Sequence, residues 1–188
     1  PVGFKLCIGH PWEWFALCKA MVETDLLPDF IVIDGGEGGT GAAPLEFTDH
    51  VGAPLQEGLL LVHNTLIGLN LRHRVRLGCA GKVISAFDIA RMIAIGADWC
   101  NAARGFMFAL GCLQAQTCHT GHCPSGVTTQ NPQRQQASVV PDKAERVYRF
   151  HQNTLDALKE LVQAAGLTHP RDISASHIVR RTGEQEVK

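Results

Sequence analysis

The sequence predicts an α/β fold of about four parallel βα units, and three observations carry that reading. Strand-like and helix-like patterns alternate four times through residues 1–110. One strand, Phe30-Ile31-Val32-Ile33, is a continuous apolar run of the kind buried on both faces of a sheet. The helix after the third strand opens on a capping box, with Ser85 followed three residues later by Asp88. Strands joined by helices run parallel, with right-handed crossovers.

Residues 3–8 read as the first strand. A helical pattern follows, with Trp14, Phe15, Cys18, Met21 and Val22 on one face and Pro28 as its stop. The second strand runs into the glycine-rich stretch from Asp34 to Ala43. The second helix carries Leu59, Val62, Leu66 and Leu69 at helical spacing. Val75 to Cys79 is the third strand, and the capped helix from Ala86 to Ile95 ends at Gly96, a good residue just past a helix. Asp98 to Ala103 is the fourth strand, closed by Arg104-Gly105. A cysteine segment (111–130) and a polar loop come next. A long amphipathic helix then runs from about Pro141 to Ala165, with Val147, Phe150, Leu158, Leu161 and Val162 on its apolar face and Gly166 at its end. Residues 181–188 are charged and expected to fray. No domain boundary is visible. Four units fall short of a closed (β/α)8 barrel, which takes about 250 residues. A small open sheet and half of a barrel both remain open.

The composition, 45% hydrophobic and 19% charged with a formal net charge of −1, is globular. It gives no electrostatic footprint for nucleic acid or an anionic membrane. The most apolar stretches are cut by Lys82, Asp88, Arg91 and Asp98, so no membrane span is expected. The start, Pro1-Val2-Gly3-Phe4-Lys5, reads as a strand, not a signal peptide, and without an initiator Met a fragment is expected. The seven cysteines are odd in number, which argues for a reducing compartment, the cytoplasm. Cys7, Cys18, Cys79 and Cys100 are expected to be buried free thiols. His10, His50, His63, His73, His151, His169 and His177 read as surface or packing residues.

Three loops read as ligand-facing. In Asp34-Gly35-Gly36-Glu37-Gly38-Gly39-Thr40-Gly41, glycines allow backbone N–H groups to approach a ligand closely. Gly36, Gly38 and Gly41 satisfy G-x-G-x-x-G, but Pro44 stands where a dinucleotide-binding helix should start. Gly81-Lys82 follows the third strand and Ala103-Arg104 the fourth. If the chain is the second half of a barrel, these are strands 7 and 8, whose loops commonly hold a phosphate. Arg there offers a charged fork.

Cys112, Cys118 and Cys123 form C-x5-C-x4-C. Three thiolates without an obvious fourth suit a [3Fe–4S] centre, and Cys123-Pro124 has a counterpart in ferredoxin motifs. Zinc with His119 or His122 as fourth ligand is an alternative, as are a disulfide and buried thiols.

Together these residues resemble the FMN-binding domain of the glutamate synthase large chain, and more closely the shorter FMN-binding glutamate synthase family, over about Pro1 to Arg134. The matching pieces are Pro-Val-x-x-Lys-Leu from Pro1, Asp34 to Pro44, Leu-Arg-His-Arg-Val-Arg-Leu from Leu71, Ala-Leu-Gly-Cys from Ala109, and Cys-His-x-x-x-Cys-Pro-x-Gly-Val-x-Thr-Gln from Cys118. The glycine loop and the cysteine segment are the specific ones. The resemblance implies the C-terminal half of a (β/α)8 TIM barrel with an iron–sulfur loop and C-terminal helix. It implies FMN, with its phosphate at Gly81, Lys82, Ala103 and Arg104, and a [3Fe–4S] cluster on Cys112, Cys118 and Cys123. Lys5 carries over as a catalytic cation near flavin or substrate carboxylate, and Asp34 to Gly41 as the wall over both.

The implied reaction joins 2-oxoglutarate and ammonia, or glutamine as its source, into a 2-imino acid reduced to L-glutamate. Electrons would come from ferredoxin or an NAD(P)H-linked subunit. Ala80-Gly81 departs from the Ser-Gly or Gly-Gly pair common in the family, which puts one phosphate contact in doubt. Barrel strands 1–4 and an amidotransferase domain are missing from the chain, so the piece alone is expected to be inactive. Rival expectations are another FMN barrel oxidoreductase, of 2-hydroxy-acid oxidase or dihydroorotate dehydrogenase type, and a non-catalytic zinc-stabilised binding module.

Overall fold

The structure, a computed structural model, describes residues 1–38, 44 and 46–179. One parallel sheet holds β1 (Gly3–Cys7), β2 (Phe30–Asp34), β3 (Arg76–Ala80) and β4 (Trp99–Asn101), in that spatial order. The helices α1 (Pro11–Thr24), α2 (Leu55–Gly68) and α3 (Ala86–Ala94) are the crossovers. Sheet order equals chain order, so the winding never reverses as it does in a doubly wound sheet.

All three crossovers lie on one side. Ile31, Ile33, Leu77 and Cys79 share a single core with Trp14, Cys18 and Met21 of α1, Leu59, Val62 and Leu66 of α2, and Met92 of α3. Leu59, Val62 and Leu66 are fully buried, at the helical spacing read from the sequence. Burying one such aliphatic side chain stabilises the fold by roughly 1.5–3 kcal/mol. Side chains alternate along a strand, so Lys5, Val32 and Gly78 point to the opposite face. Sequential parallel strands with every helix on one face are half of a (β/α)8 barrel.

Two glycines shape that opposite face. Gly3 pairs with Phe30, and Gly78 with Trp99. A Cβ on either glycine would run into its partner's ring. The bare backbones admit the two aromatics, which meet edge to face with centroids 5.9 Å apart.

Several boundaries differ from expectation. α1 ends at Thr24, where Asp25 turns left-handed (φ 51°), so Asp25 and not Pro28 stops it. The fourth strand is cut to Trp99–Asn101, and Arg104–Leu110 forms a short helix, α4, that was not anticipated. A four-residue helix, α5 (Pro132–Gln135), precedes the long α6 (Val140–Ala164). The α6 face behaves as read: Val162 is buried with Ala90 and Ala94 of α3, and Phe150 meets Phe106 of α4 at 5.2 Å. The Ser85 box forms, with the Asp88 amide donating to Ser85 Oγ (3.2 Å) and the Ser85 amide to Asp88 Oδ2 (2.9 Å). Cys7 is exposed, against the expectation of a buried thiol, while Cys18 and Cys79 are buried and Cys100 is half-buried.

A charged network ties the amino ends of β3 and β4. Asp98 accepts from Arg72 (2.8 Å), Arg76 (3.2 Å) and the Leu77 amide (2.7 Å). Arg72 also donates to the carbonyls of Val75 and Gly96 and to His63 Nδ1. Burial, and then the Arg72 guanidinium, hold His63 below the usual imidazole range, which keeps it neutral and able to accept. Asp98→Ala strands the largely buried Arg72 guanidinium and the Leu77 amide. It is expected to lower the unfolding free energy by about 1–3 kcal/mol in urea titration; an unchanged midpoint would show that the network is dispensable.

Candidate functional site

The carboxyl ends of the strands form one rim. Lys5 on β1 and Asp34 at the end of β2 share the face opposite the helices, and their charges meet at 2.5 Å. Asp34 Oδ1 also accepts from the Gly36 amide (2.9 Å), which starts the glycine loop as a tight turn with Gly36 at φ 63°. The Gly35 amide donates to the Ala80 carbonyl (2.8 Å), pinning the loop to the end of β3.

Glu37 has a partner within the fold. Its Oε1 accepts from the Leu55 amide at 2.8 Å. Pro54 precedes Leu55 and makes no side-chain cap, so Glu37 caps α2 from the loop. Gly38 is exposed with open space around it. Gly39, Thr40 and Gly41 lie outside the described residues.

Two of the four expected phosphate residues, Lys82 and Arg104, face one cavity. Gly81 and Lys82 both have positive φ (155° and 46°), so the chain turns sharply after β3. Lys82 and Arg104 line a cavity of about 110 Å³ together with Thr48, Asp49, Gln114, Gln116, Cys112 and Cys118. Ala103 is the residue before α4. Lys82 pairs with Asp49 at 2.8 Å, but the two side chains are 44% and 41% exposed. Exposed pairs of this kind contribute only about 0–1 kcal/mol, so Lys82 can exchange Asp49 for another anion. Two cations on one wall suit a phosphate dianion. The start of α3 suits it less, because Asp88 already sits there. Burial opposes the Asp88 charge, yet the Ser85 amide and hydroxyl, the Ile84 amide and Arg91 together hold its carboxyl below the usual range.

The cysteines surround a second, smaller cavity. Cys112 follows α4 directly: Gly111 turns left-handed (φ 103°), its amide donates to Phe108, and the Cys112 amide donates to Met107 (2.9 Å). Cys118 opens a single 3₁₀ turn that Gly121 closes. Cys123 is buried. All three line the small cavity with Met107, Leu113, Ala115, Thr117, Pro124, Ser125 and Thr128. Burial opposes ionisation of Cys123, but the Ser125 hydroxyl at 3.3 Å and the neighbouring amides outweigh it, and its pKa falls to about 6. A thiolate is the form that ligates metals, so the donor set fits a thiolate-bound cluster. His119 and His122 are exposed and do not line this cavity, so nothing here favours the zinc alternative with a histidine ligand. Among the described residues, no three His, Cys, Asp or Glu side chains converge on a single-ion site.

Cys112 and Cys118 therefore border both cavities, and the phosphate candidates and the cysteine segment are neighbours. Sequence reasoning missed Thr48 and Asp49, and also Gln114 and Gln116, which reach the cavity from left-handed backbone (φ 54° and 56°). No sequence signal marks a glutamine for that conformation.

Parallel βα units whose rim gathers two cations, an ion pair and three cysteines define a half-barrel with a polar rim and a cysteine lobe. Comparison with known proteins narrows that class. The family described as a conserved region in glutamate synthase matches residues 1–168, and the chain belongs to the glutamate synthase family. The glutamate synthase large subunit-like protein YerD of Bacillus subtilis is 42% identical over 181 residues, 96% of this chain and 34% of that protein. The archaeal glutamate synthase (NADPH) of Methanocaldococcus jannaschii is 37% identical over 167 residues, 89% of this chain and 32% of the relative. Ferredoxin-dependent glutamate synthase 1 of Arabidopsis thaliana is 35% identical over 156 residues, 78% of this chain and 10% of the relative. The chain thus spans about a third of the length of the first two of these relatives and a tenth of the third. The flavin-binding domain of baker's yeast flavocytochrome b2 has a TM-score of 0.45 at 16% identity, covering 87% of this chain and 37% of that one, too distant a likeness to bear on function.

Glu37→Ala removes the cap on α2. The expected loss is about 0.5–2 kcal/mol, with faster amide hydrogen exchange at Leu55; unchanged exchange there would refute the capping role.

Proposed function

We propose that this chain carries the phosphate-side half of the flavin site and the cluster lobe of a glutamate-synthase-type oxidoreductase. The observation that carries the reading is the shared cavity: Lys82 and Arg104 face the same space as Cys112 and Cys118. A flavin phosphate held by Gly81, Lys82, Ala103 and Arg104 would lie beside a [3Fe–4S] cluster on Cys112, Cys118 and Cys123, the proximity that electron transfer needs. Bound FMN supplies hydride chemistry, and the cluster supplies single electrons.

The chain's own residues bind and orient. Lys82 exchanges its exposed partner Asp49 for phosphate oxygen, and Arg104 offers a second charged contact. Lys5 stands on the face opposite the helices with Asp34 beside it. Its charge would hold the carboxylate of 2-oxoglutarate or of the 2-imino acid formed with ammonia. Asp34 orients Lys5 through the ion pair and, through the Gly36 amide, holds the glycine loop at the rim. The additional length of the relatives would supply the other strands and the ammonia source, and the isolated piece would be inactive. The electron donor is ferredoxin or a nicotinamide-linked subunit, as the names of relatives from both groups suggest. Among the described residues no helix is long and apolar enough to cross a membrane. The odd cysteine count and the thiolate-bound cluster favour the reducing cytoplasm as the site of action.

Two measurements test the reading on the complete protein, purified without oxygen. Metal and sulfide analysis is expected to give about three irons and about four labile sulfides per chain, with flavin absorption; stoichiometric zinc without iron would overturn the cluster. Arg104→Gln is expected to weaken FMN retention about 10–100-fold, the loss of one charge-assisted contact. Full flavin occupancy in that variant, by absorbance after gel filtration, would remove Arg104 from the phosphate site.

A further inference from the structure

The cysteines outside the cluster segment include a pair in contact. Cys79 on β3 and Cys100 on β4 are direct register partners, and their sulfurs lie 3.5 Å apart. Neighbouring strands run about 4.8 Å apart, inside the roughly 4.4–6.8 Å Cα span of disulfides. Both side chains therefore lie on the helix-side face of the sheet, where Cys79 is fully buried and Cys100 packs at the margin of the core, partly buried. Cys79 is thus sealed, and Cys100 is the less buried of the two.

From this geometry we infer that Cys79 and Cys100 are a reversible cross-strand disulfide site, oxidised by a small peroxide. The Cys100 sulfur attacks a peroxide oxygen, the O–O bond breaks, and Cys100 sulfenic acid and water form. The Cys79 sulfur then displaces hydroxide from that sulfenic sulfur, and its proton leaves with the hydroxide as a second water. Two thiols and one hydrogen peroxide give one disulfide and two waters. The Cys79 thiol donates to the Cys100 sulfur, and this hydrogen bond, more than the opposing burial and the Asp88 charge, keeps the Cys100 thiol below its ordinary range. The less buried member is therefore the better nucleophile, and the fully buried member is the resolving thiol.

The location gives the site a consequence. Ala80 and Asn101, the next register pair, end the two strands that lead into Gly81-Lys82 and Ala103-Arg104. A disulfide one residue below fixes the spacing of those two loops. That consequence rests on the phosphate reading; the disulfide itself does not.

The test uses the complete protein with its prosthetic groups. It is exposed to hydrogen peroxide while folded, then denatured in an alkylating reagent and digested with trypsin without reduction. Cleavage after Arg76, Lys82, Arg91 and Arg104 puts Cys79 on peptide 77–82 and Cys100 on peptide 92–104, while Cys112, Cys118 and Cys123 share peptide 105–134. The expected product is the 77–82/92–104 pair joined by a disulfide, released by dithiothreitol. In Cys79→Ser, Cys100 is expected to stop as a sulfenic acid that dimedone captures. Recovery of 77–82 alkylated from the wild type, with Cys100 either alkylated or driven to sulfinic acid, would overturn the proposal. So would linkage of either peptide to 105–134. Because the mapping reads peptides and not turnover, it gives its answer whether or not the flavin and cluster assignments hold.

Discussion

Register is the constraint on which the rest of the structure depends. Cys7, Asp34, Ala80 and Asn101 stand in one row across four parallel strands. Parallel neighbours cannot be joined by a tight turn, so each strand needs a crossover that returns the chain to the same starting edge. The helices carry out that return and gather on one face, where the apolar side chains of alternate strand positions meet them. Every loop leaving the sheet at its carboxyl end then opens onto one rim. Lys5, the first turn of the glycine loop, Lys82 and Arg104 are scattered in sequence but come to one rim because their strands end level.

The rim is held more firmly at its base than at its tips. Gly35 bonds to Ala80, and Glu37 reaches the start of α2, so the first turn of the glycine loop belongs to the scaffold. The charged side chains above it are held loosely. The Lys82–Asp49 pair is about as exposed as it is buried, and Lys5 is 57% exposed in its pair with Asp34. Such pairs contribute little to stability. Their value is that they keep cations at the rim, in partnerships a better anion can replace.

Much of this was legible in the sequence, and what was not has common physical causes. The four βα units, the Ser85 capping box and the inward face of α6 follow from period and local hydrogen bonding, which a linear sequence displays. The short helix α4 was missed because Arg104-Gly105 opens it without a capping side chain. The capping role of Glu37 was hidden because its partner is 18 residues away, across a loop. Gln114 and Gln116 gave no sign of their left-handed backbone, and Asp25 took the stop expected of Pro28. The convergence of Lys82, Arg104, Cys112 and Cys118 depends on how α4 turns the chain back over the rim, which no spacing encodes. The Cys79–Cys100 contact likewise needs the β3–β4 register, and a slip of one residue would send the two thiols to opposite faces.

The two ends of the sheet divide the work. At the amino ends, Asp98, Arg72 and His63 form a closed network in which each donor finds an acceptor, and little of it faces solvent. At the carboxyl ends, cations, glycines and a low-pKa cysteine face open space or small cavities, an arrangement that gains less from intramolecular contact. Parallel βα architecture permits this asymmetry because stability is already supplied by the helix-side core and the amino-end network. The rim can then keep groups whose partners are exchangeable, and such groups are what a ligand needs. The same logic places the thiol pair at the border between the two regimes. Cys79 belongs to the core by burial, and Cys100 lies at its edge. A bond between them would extend the rigidity of the sheet by one step toward the loops that carry Lys82 and Arg104.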